Sequence, residues 1–408
     1  PYTTLFRSTM QDNINGLVRE LVRAKLLPVP LNFSTLQDVF AYLNALPEKI
    51  IVVIDEYPYL KAMNDSATVD SIFQNIIDNR LANVELILSG SHIGMMKDTL
   101  QEKNALYGRF AVTIKLNELN YLEAAKFYPD KTPYDKAAHY AVFGGSPFVN
   151  QALNPAATIR ENIINTILNP MSAVYLYASQ LLLSDYSVKI NAERIFSVIG
   201  NGKKRYTEIE DKLDVKKTGN LSKQIKSLID LEIIARNSPI NKIGDNKKST
   251  FEINDNLLRF YFTFIYKNAS ALQVLGAESF YDEYIAPALT DFISRRFEGI
   301  CRDYFSLQVR SGKMKGVRNI GSYYYDDPAH RKNGEFDVAL EFADGYEIYE
   351  AKYYAQPMTL DEIHREVQQV EGIKELTVKQ IGFIAIHGFV EREAPYFYLD
   401  GNDIFANE

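Results

Sequence analysis

Tryptophan is absent from the 408 residues, and cysteine occurs once, at Cys301. A single cysteine excludes an internal disulfide framework and a cysteine-built zinc site, and it predicts a reducing, cytoplasmic setting. The five histidines are scattered without ligand spacing. No apolar run approaches the ~20 residues of a membrane-spanning helix; the longest, Ile50 to Ile54, is strand-sized. Residues 1–10 are mixed and polar, unlike a secretory leader. Positive charge is not in excess either: 45 basic against 52 acidic side chains give a net charge of -7. That balance argues against whole-surface attraction to nucleic acid but leaves local basic patches open. Internal repeats and low-complexity stretches are also lacking.

The chain that remains is average for a globular protein, 46% hydrophobic and 24% charged, and long enough for three or four small cores. Pro1 to Ser8 reads as a fragment edge. Two amphipathic helices follow, over 11–26 and from a Ser34 cap through Leu46. Then comes Ile50-Ile51-Val52-Val53-Ile54, continuous and β-branched, which predicts a parallel strand buried on both faces. A helix near 69–78, a second strand over Val84 to Leu88 and a third over Ala111 to Leu116 complete an α/β pattern. The pattern is helical from Asn117 to about Asp185, with one break at Gly144-Gly145-Ser146-Pro147. Three helices and a hairpin turning at Gly244-Asp245-Asn246 predict a winged helix-turn-helix. The last segment reads helix, three strands, helix, strand. The expected architecture is therefore multidomain α/β, with boundaries at 1–116, 117–184, 185–270 and 271–408.

Chemistry concentrates at strand ends. Asp55-Glu56 closes the first strand. An aspartate there can hold Mg²⁺ through water while the following glutamate orients an attacking water. The second strand ends in Ser89-Gly90-Ser91, which sets small hydroxyls beside those acids, at the end where open parallel sheets bind ligands. Arg109 could reach a phosphate from the next turn. In the helix-turn-helix, Lys216, Lys217, Lys223 and Lys226 cluster on the expected recognition helix and could neutralise DNA phosphates. Few base-reading side chains accompany them, and a solvated lysine face is the plain alternative. Near the C-terminus, Glu335, Asp337 and Glu341 alternate with apolar residues and so share one face, as do Glu350 and Lys352. If those strands pair, Asp337, Glu350 and Lys352 converge. Two carboxylates can coordinate Mg²⁺, and the lysine can stabilise charge on a phosphodiester.

The motifs Ile54 to Leu60, Leu86 to Met96, Tyr107-Gly108-Arg109 and Gly144 to Pro147, taken together, resemble the archaeal-type AAA+ ATPase family. Its members often end in a domain of unknown function related to nucleases. The resemblance implies a P-loop NTPase sheet with a helical lid, Asp55 and Glu56 as the Walker B pair, and Ser89, Ser91 and Arg109 around ATP. It also implies Mg²⁺, DNA as partner, and a possible homo-oligomer. The C-terminal constellation resembles the PD-(D/E)xK nuclease fold, an αβββαβ restriction-endonuclease-like core. The motif carries over onto Asp337, then Glu350 and Lys352, with Glu298 as the acid of the first helix. Phe336 stands where that motif has a proline. No G-x-x-x-x-G-K-[ST] occurs in the chain; Gly202-Lys203-Lys204 comes nearest but lacks the earlier glycine and the hydroxyl. The phosphate cradle and its lysine are thus missing. The expectation is an N-terminally truncated member in which full-length ATP binding would control a Mg²⁺-dependent DNA nuclease. The alternatives are a non-catalytic nucleotide-switched regulator that only grips DNA or a scaffold, and a solute-sensing transcription factor.

Overall fold

A computed structural model of the chain describes residues 2–4, 9–63, 66–79, 81–91, 93–180, 192–200, 202–214, 220–327 and 332–406. Two compact units emerge, Pro1–Leu116 and Asn117–Glu408. Among the described residues no helix is long and apolar enough to cross a membrane.

The first unit is built on a three-stranded parallel sheet of β1 (Tyr2–Thr4), β2 (Ile50–Asp55) and β3 (Val84–Leu88), with β2 in the middle. Helices α1 (Met10–Arg23), α2 (Leu36–Ala45), α3 (Tyr57–Met63), α4 (Ser66–Asp78) and α5 (Ile93–Asp98) surround it. Both α1 and α2 begin in capping boxes, at Thr9 with Asp12 and at Thr35 with Asp38. The α2 cap is thus Thr35, one residue beyond the serine expected to serve. A side-chain oxygen there satisfies an amide that the helix leaves unpaired. Ile14, Leu17, Val39, Phe40, Val52, Ile54 and Phe73 share one core.

Two expectations fail in this unit. The strand over 50–54 is not buried on both faces, because Ile51 and Ile87 stay 53% and 49% exposed while Ile50, Val52 and Ile54 are covered. The helices pack on one side, and a β-branched run does not reveal how many sides are covered. The strand expected over 111–116 does not form either. Val112, Ile114 and Leu116 keep the alternation of a strand but are 73%, 77% and 89% exposed. An extended segment becomes a strand only beside a hydrogen-bonding strand, and among the described residues this one joins no sheet. Conversely, β1 falls within the stretch set aside as a fragment edge.

The second unit opens with α6 (Tyr121–Ala125), α7 (Pro133–Phe143), α8 (Pro147–Ala152), α9 (Ile159–Asn162) and α10 (Ala173–Gln180). The break between α7 and α8 has a steric cause. Gly144 takes a left-handed φ of +70°, and a β-carbon on Gly145 would lie 2.0 Å from the Leu119 carbonyl oxygen. Glycine is required at both. Next come α11 (Ala192–Ile199), the short β4 (Lys204–Arg205), α12 (Tyr206–Leu213), α13 (Asn220–Asp230) and the hairpin β5 (Ile234–Asn237) to β6 (Thr250–Ile253). β4 joins the hairpin on β6, giving the order β4-β6-β5. Lys216 and Lys217 lie outside the described residues, as does the expected start of this module near Tyr186.

After α14 (Asn256–Phe260) and α15 (Ala269–Phe280), the long α16 (Ala286–Arg310) leads into a five-stranded sheet. Its strands are β7 (Asn319–Asp327), β8 (Lys332–Phe342), β9 (Gly345–Lys352), β10 (Val378–Ala385) and β11 (Phe397–Asp400), in the order β11-β10-β9-β8-β7. β7, β8 and β9 run antiparallel, whereas β10 pairs in parallel with β9 and β11 in parallel with β10. α17 (Leu360–Glu371) makes the crossover from β9 to β10, and α18 (Gly401–Ile404) ends the fold. β11 went unread in the sequence because Phe397–Asp400 is too short to show a period.

Candidate active site

In the first unit the turn after β2 gathers the expected acids and hydroxyls. The Ser89 hydroxyl donates to Asp55 Oδ1 at 2.6 Å, and the Ser91 hydroxyl donates to Glu56 Oε2 at 3.1 Å. Backbone pairing sets this arrangement: Ser89 N–H donates to the Ile54 carbonyl, and Tyr57 N–H to the Ser89 carbonyl. Glu56 adopts φ +53°, rare for a residue with a side chain and costly unless its surroundings enforce it. A buried network below the turn does so. Asp70 accepts from the Tyr57 hydroxyl at 2.6 Å, from Lys61 Nζ at 2.7 Å and from Asn104 Nδ2 at 2.8 Å. Arg109 is not brought to this turn. Its guanidinium forms a bidentate pair with Asp78 at 2.8 and 2.9 Å, at the C-terminal end of α4.

In the second unit, pairing of β8 with β9 runs as far as Val338 opposite Tyr349. At the next step the Asp337 carboxylate replaces backbone as acceptor, taking the Ala351 N–H at 3.2 Å. The cause lies on the other side of β8, where Ala339 pairs with Gly321 but Phe336 pairs with Tyr323. Three steps along β8 thus match two along β7, a bulge that re-aims Asp337. It also interrupts the alternation, so the face expected to carry Glu335, Asp337 and Glu341 together is broken between the last two. From α16, Arg302 donates to the Asp337 carbonyl at 2.7 Å and pins the bulge.

Asp337, Glu350, Lys352 and Glu298 meet around this irregularity. Lys352 Nζ lies 2.6 Å from Glu350 Oε1 and 3.1 Å from Glu366 Oε1 on α17. Glu298 faces Lys203 at 3.6 Å and Arg302 at 3.9 Å. Burial, then the charges of Glu350 and Glu298, push the Asp337 carboxyl well above the usual carboxylate range. Burial raises Glu350 to about 7; Lys352 opposes that rise, and Glu366 and Glu298 add to it. Burial alone would lower the Lys352 ammonium, but Glu350 and Glu366 outweigh it and hold it above an ordinary lysine. Carboxylates crowded in this way favour gaining a cation or a proton.

The donor set is all oxygen, which suits Mg²⁺ or Mn²⁺, and a magnesium ion keeps several waters of its own. The expected ligands divide between the two units, with Asp55 in the first and Asp337, Glu350 and Glu298 in the second. Among the described residues, no three acidic, histidine or cysteine side chains close into a metal-holding group. In the second unit the Lys352 ammonium lies between Glu350 and Glu366. Sequence reading missed Glu366, Arg302 and Lys203. Glu366 was traceable, since it interrupts the apolar stripe of Ile363, Val367 and Val370 on α17. Lys223 and Lys226 lie exposed on α13.

Residues 3–149 match a family described as an ATPase domain predominantly from Archaea, and residues 261–366 match archaeal and bacterial proteins of unknown function. The uncharacterised protein MJECL04 of Methanocaldococcus jannaschii is 29% identical over 273 residues, 66% of this chain and 60% of that protein. The chain therefore spans well under the full length of this curated relative. Among solved structures, the Aeropyrum pernix ORC2 protein, in ADPNP–ADP complexes, aligns at 10% identity and TM-score 0.40, covering 61% of this chain and 74% of that one. Protein VC1899 of Vibrio cholerae aligns at 8% identity and TM-score 0.24, covering 90% and 92%. Both are distant likenesses. The two family matches follow one another along the sequence, an archaeal-type ATPase domain and then this domain of unknown function.

Proposed function

We propose that the C-terminal unit is a Mg²⁺-dependent DNA nuclease and that the N-terminal unit is the ATPase-family module that governs it. The observation carrying this reading is the end of β8–β9 pairing, where Asp337, Glu350 and Lys352 converge beside Glu298. Asp337 and Glu350 would hold Mg²⁺, with Glu298 at the rim. A bound Mg²⁺ supplies an acidified water and polarises a phosphoryl oxygen. The chain's own groups do the rest. The Ala351 N–H and the Arg302 clamp on the bulge fix the Asp337 carboxylate in direction. Glu366 shares the hold on Lys352, so this cation stays charged and aimed where negative charge would build on phosphorus.

In the N-terminal unit, Asp55 and Glu56 would face Mg·ATP, with Ser89 and Ser91 sensing the terminal phosphate. With no P-loop among the 408 residues, this chain should bind Mg·ATP poorly; a micromolar affinity by calorimetry would overturn that. We read the three helices and hairpin of residues 192–253 as a winged helix, supported by their order along the chain. Lys223 and Lys226, with Lys216 and Lys217 nearby in sequence, are its expected phosphate contacts. DNA is the expected partner, and a homo-oligomer is compatible with the family.

A plasmid-nicking assay with Mg²⁺ or Mn²⁺ tests the nuclease, comparing the chain with Lys352→Ala. Cleavage that disappears in the variant is expected. No cleavage by either protein favours the second reading, a nucleotide-switched, non-catalytic DNA-binding or scaffold regulator. One observation speaks for that reading: Lys352 is committed to two carboxylates.

A further inference from the structure

The string Gly202-Lys203-Lys204 is no phosphate loop, yet it has a defined place in the fold. Gly200 packs so closely on α14 and the residues after it that a β-carbon would lie 2.7 Å from Phe262 Cβ, and its carbonyl accepts from the Thr263 hydroxyl at 2.6 Å. Gly202 then turns with φ +109°, a conformation other residues rarely adopt. Lys204 and Arg205 are fixed by pairing with Phe251 and Thr250 of β6. Lys203 is therefore presented between two anchored points.

The module that presents it is itself clamped to the five-stranded sheet. The Asn241 side chain exchanges two hydrogen bonds with the backbone of Tyr324 on β7, donating at 2.7 Å and accepting at 3.0 Å. Lys248 Nζ sits 3.8 Å from the centre of the Tyr324 ring. Glu252 of β6 pairs with Arg296 of α16 at 3.0 Å and with Arg259 at 3.3 Å, and all three side chains are largely buried. Lys203 is thus held in a set position, and the acid it faces belongs to the acidic cluster. Its ion pair with Glu298, at 3.6 Å, is beyond hydrogen-bonding distance and partly open to solvent, with about a quarter of each side chain exposed. A partly solvated ion pair at that separation holds weakly and can be exchanged for a better anion.

We infer that Lys203 is a substrate-binding cation of the Asp337–Glu350 site, contributed by the preceding helical module, and that its ligand is a phosphate of a DNA duplex backbone. This inference rests on the nuclease reading for the identity of the neighbouring acids. The Lys203–Glu298 pair holds the lysine at the rim until a phosphate replaces the carboxylate as its partner. Arg302, on the other side of Glu298, keeps that carboxylate partnered after the exchange.

The test uses the whole chain and a short fluorescein-labelled DNA duplex with Ca²⁺, read by anisotropy over a salt series. Lys203→Ala should weaken binding about tenfold, the scale of one charge-assisted contact. It should also lower the slope of log affinity against log salt by about 0.9, the release of one counterion. Lys203→Arg should restore both, which a merely structural role would not explain, and an unchanged urea midpoint shows that the fold is intact. Where nicking is measurable, Lys203→Ala should raise KM and leave kcat within about twofold. Unchanged affinity and salt slope in Lys203→Ala overturn the inference. So does a duplex affinity that falls equally in Lys203→Arg, or a loss confined to inorganic phosphate binding with the duplex unaffected. If wild type binds the duplex but never cleaves it, the nuclease reading fails while a Lys203-dependent salt slope still stands.

Discussion

Each compact unit carries a pair of acids on its sheet, and the two pairs are held by different chemistry. Asp55 and Glu56 receive hydroxyl donors, Ser89 and Ser91, on a turn braced by the buried Tyr57–Lys61–Asp70 network. Asp337 and Glu350 are packed among other carboxylates and answered by Lys352, Arg302 and Lys203. Neutral donors leave an acid's charge available to a ligand that arrives with its own cation. Crowded acids instead make a cation the thing in demand. The first arrangement suits Mg·nucleotide brought whole, and the second suits a metal ion held by the protein.

The largest expected effect tests the second half of that contrast. Lys352→Ala leaves Glu350 and Glu366 without the ammonium between them and removes the cation proposed to face the reacting phosphate. Nicking should fall about a thousandfold, the scale of a lost electrostatic stabiliser. Ser89→Ala, in the first unit, should leave nicking without nucleotide unchanged. Equal losses in both variants would mean that the units do not divide the chemistry in this way.

Next in size is the brace under Glu56. Lys61 and Asp70 are both almost wholly buried, so Asp70→Ala strands an ammonium and a phenol in the core. Breaking a buried pair costs about 3–5 kcal/mol, enough to lower the urea midpoint of the first unit's transition well below that of the second. A midpoint that hardly moves would show that the turn does not depend on its network.

A pH effect of about 3 kcal/mol sets the second unit apart. Burial depresses the fully enclosed His139 to about 4. Its folded-state pKa lies below the unfolded value near 6.5, so the stability is complete above pH 6.5 and is lost as pH falls toward 4. The difference of about 2.5 units corresponds to about 3 kcal/mol. His139→Gln should flatten the drop in the second unit's urea midpoint between pH 7 and pH 4.5. A wild-type drop that survives the substitution unchanged would place the acid sensitivity elsewhere.

Sequence reading reached furthest where apolar period and turn residues coincide. The spans of α11 and α12, the hairpin of β5 and β6, and the run from α16 to β10 were all readable from apolar spacing and turn residues. It reached less far where a neighbour decides. Residues 111–116 alternate like a strand yet join no sheet among the described residues, and Ile51 reads as core but lies on the uncovered face of its sheet. At the site, the period of two brought Asp337, Glu350 and Lys352 to adjoining strands. The bulge that aims Asp337 is a mismatch between two strands and leaves no mark in either one alone. Lys203 and Glu366 lie far from Asp337 in sequence, so only the packing of α16, α17 and the β4 turn could reveal them.

The smallest effect isolates the contrast most cleanly, because it concerns charge without shape. Asp337→Asn keeps the side chain's size and its ability to accept the Ala351 N–H, while removing one negative charge from a crowd of carboxylates. In buffer without divalent cations the variant should be more stable than wild type, since a group pushed upward in pKa is one whose charge the fold disfavours. Nicking should be lost in the same protein, giving stability and activity opposite signs. Asp55→Asn makes the same exchange where the neighbour is a hydroxyl donor at 2.6 Å. That hydrogen bond can persist to an amide oxygen, so stability should stay within about 0.5 kcal/mol, as for substitutions that strand no buried group. Urea titrations of both variants, with and without added Mg²⁺, decide the matter. Mg²⁺ should stabilise wild type relative to Asp337→Asn, since binding to the folded state alone raises stability by mass action. If Asp337→Asn is destabilised instead, the second site is a satisfied ion-pair network and not a vacancy for a cation.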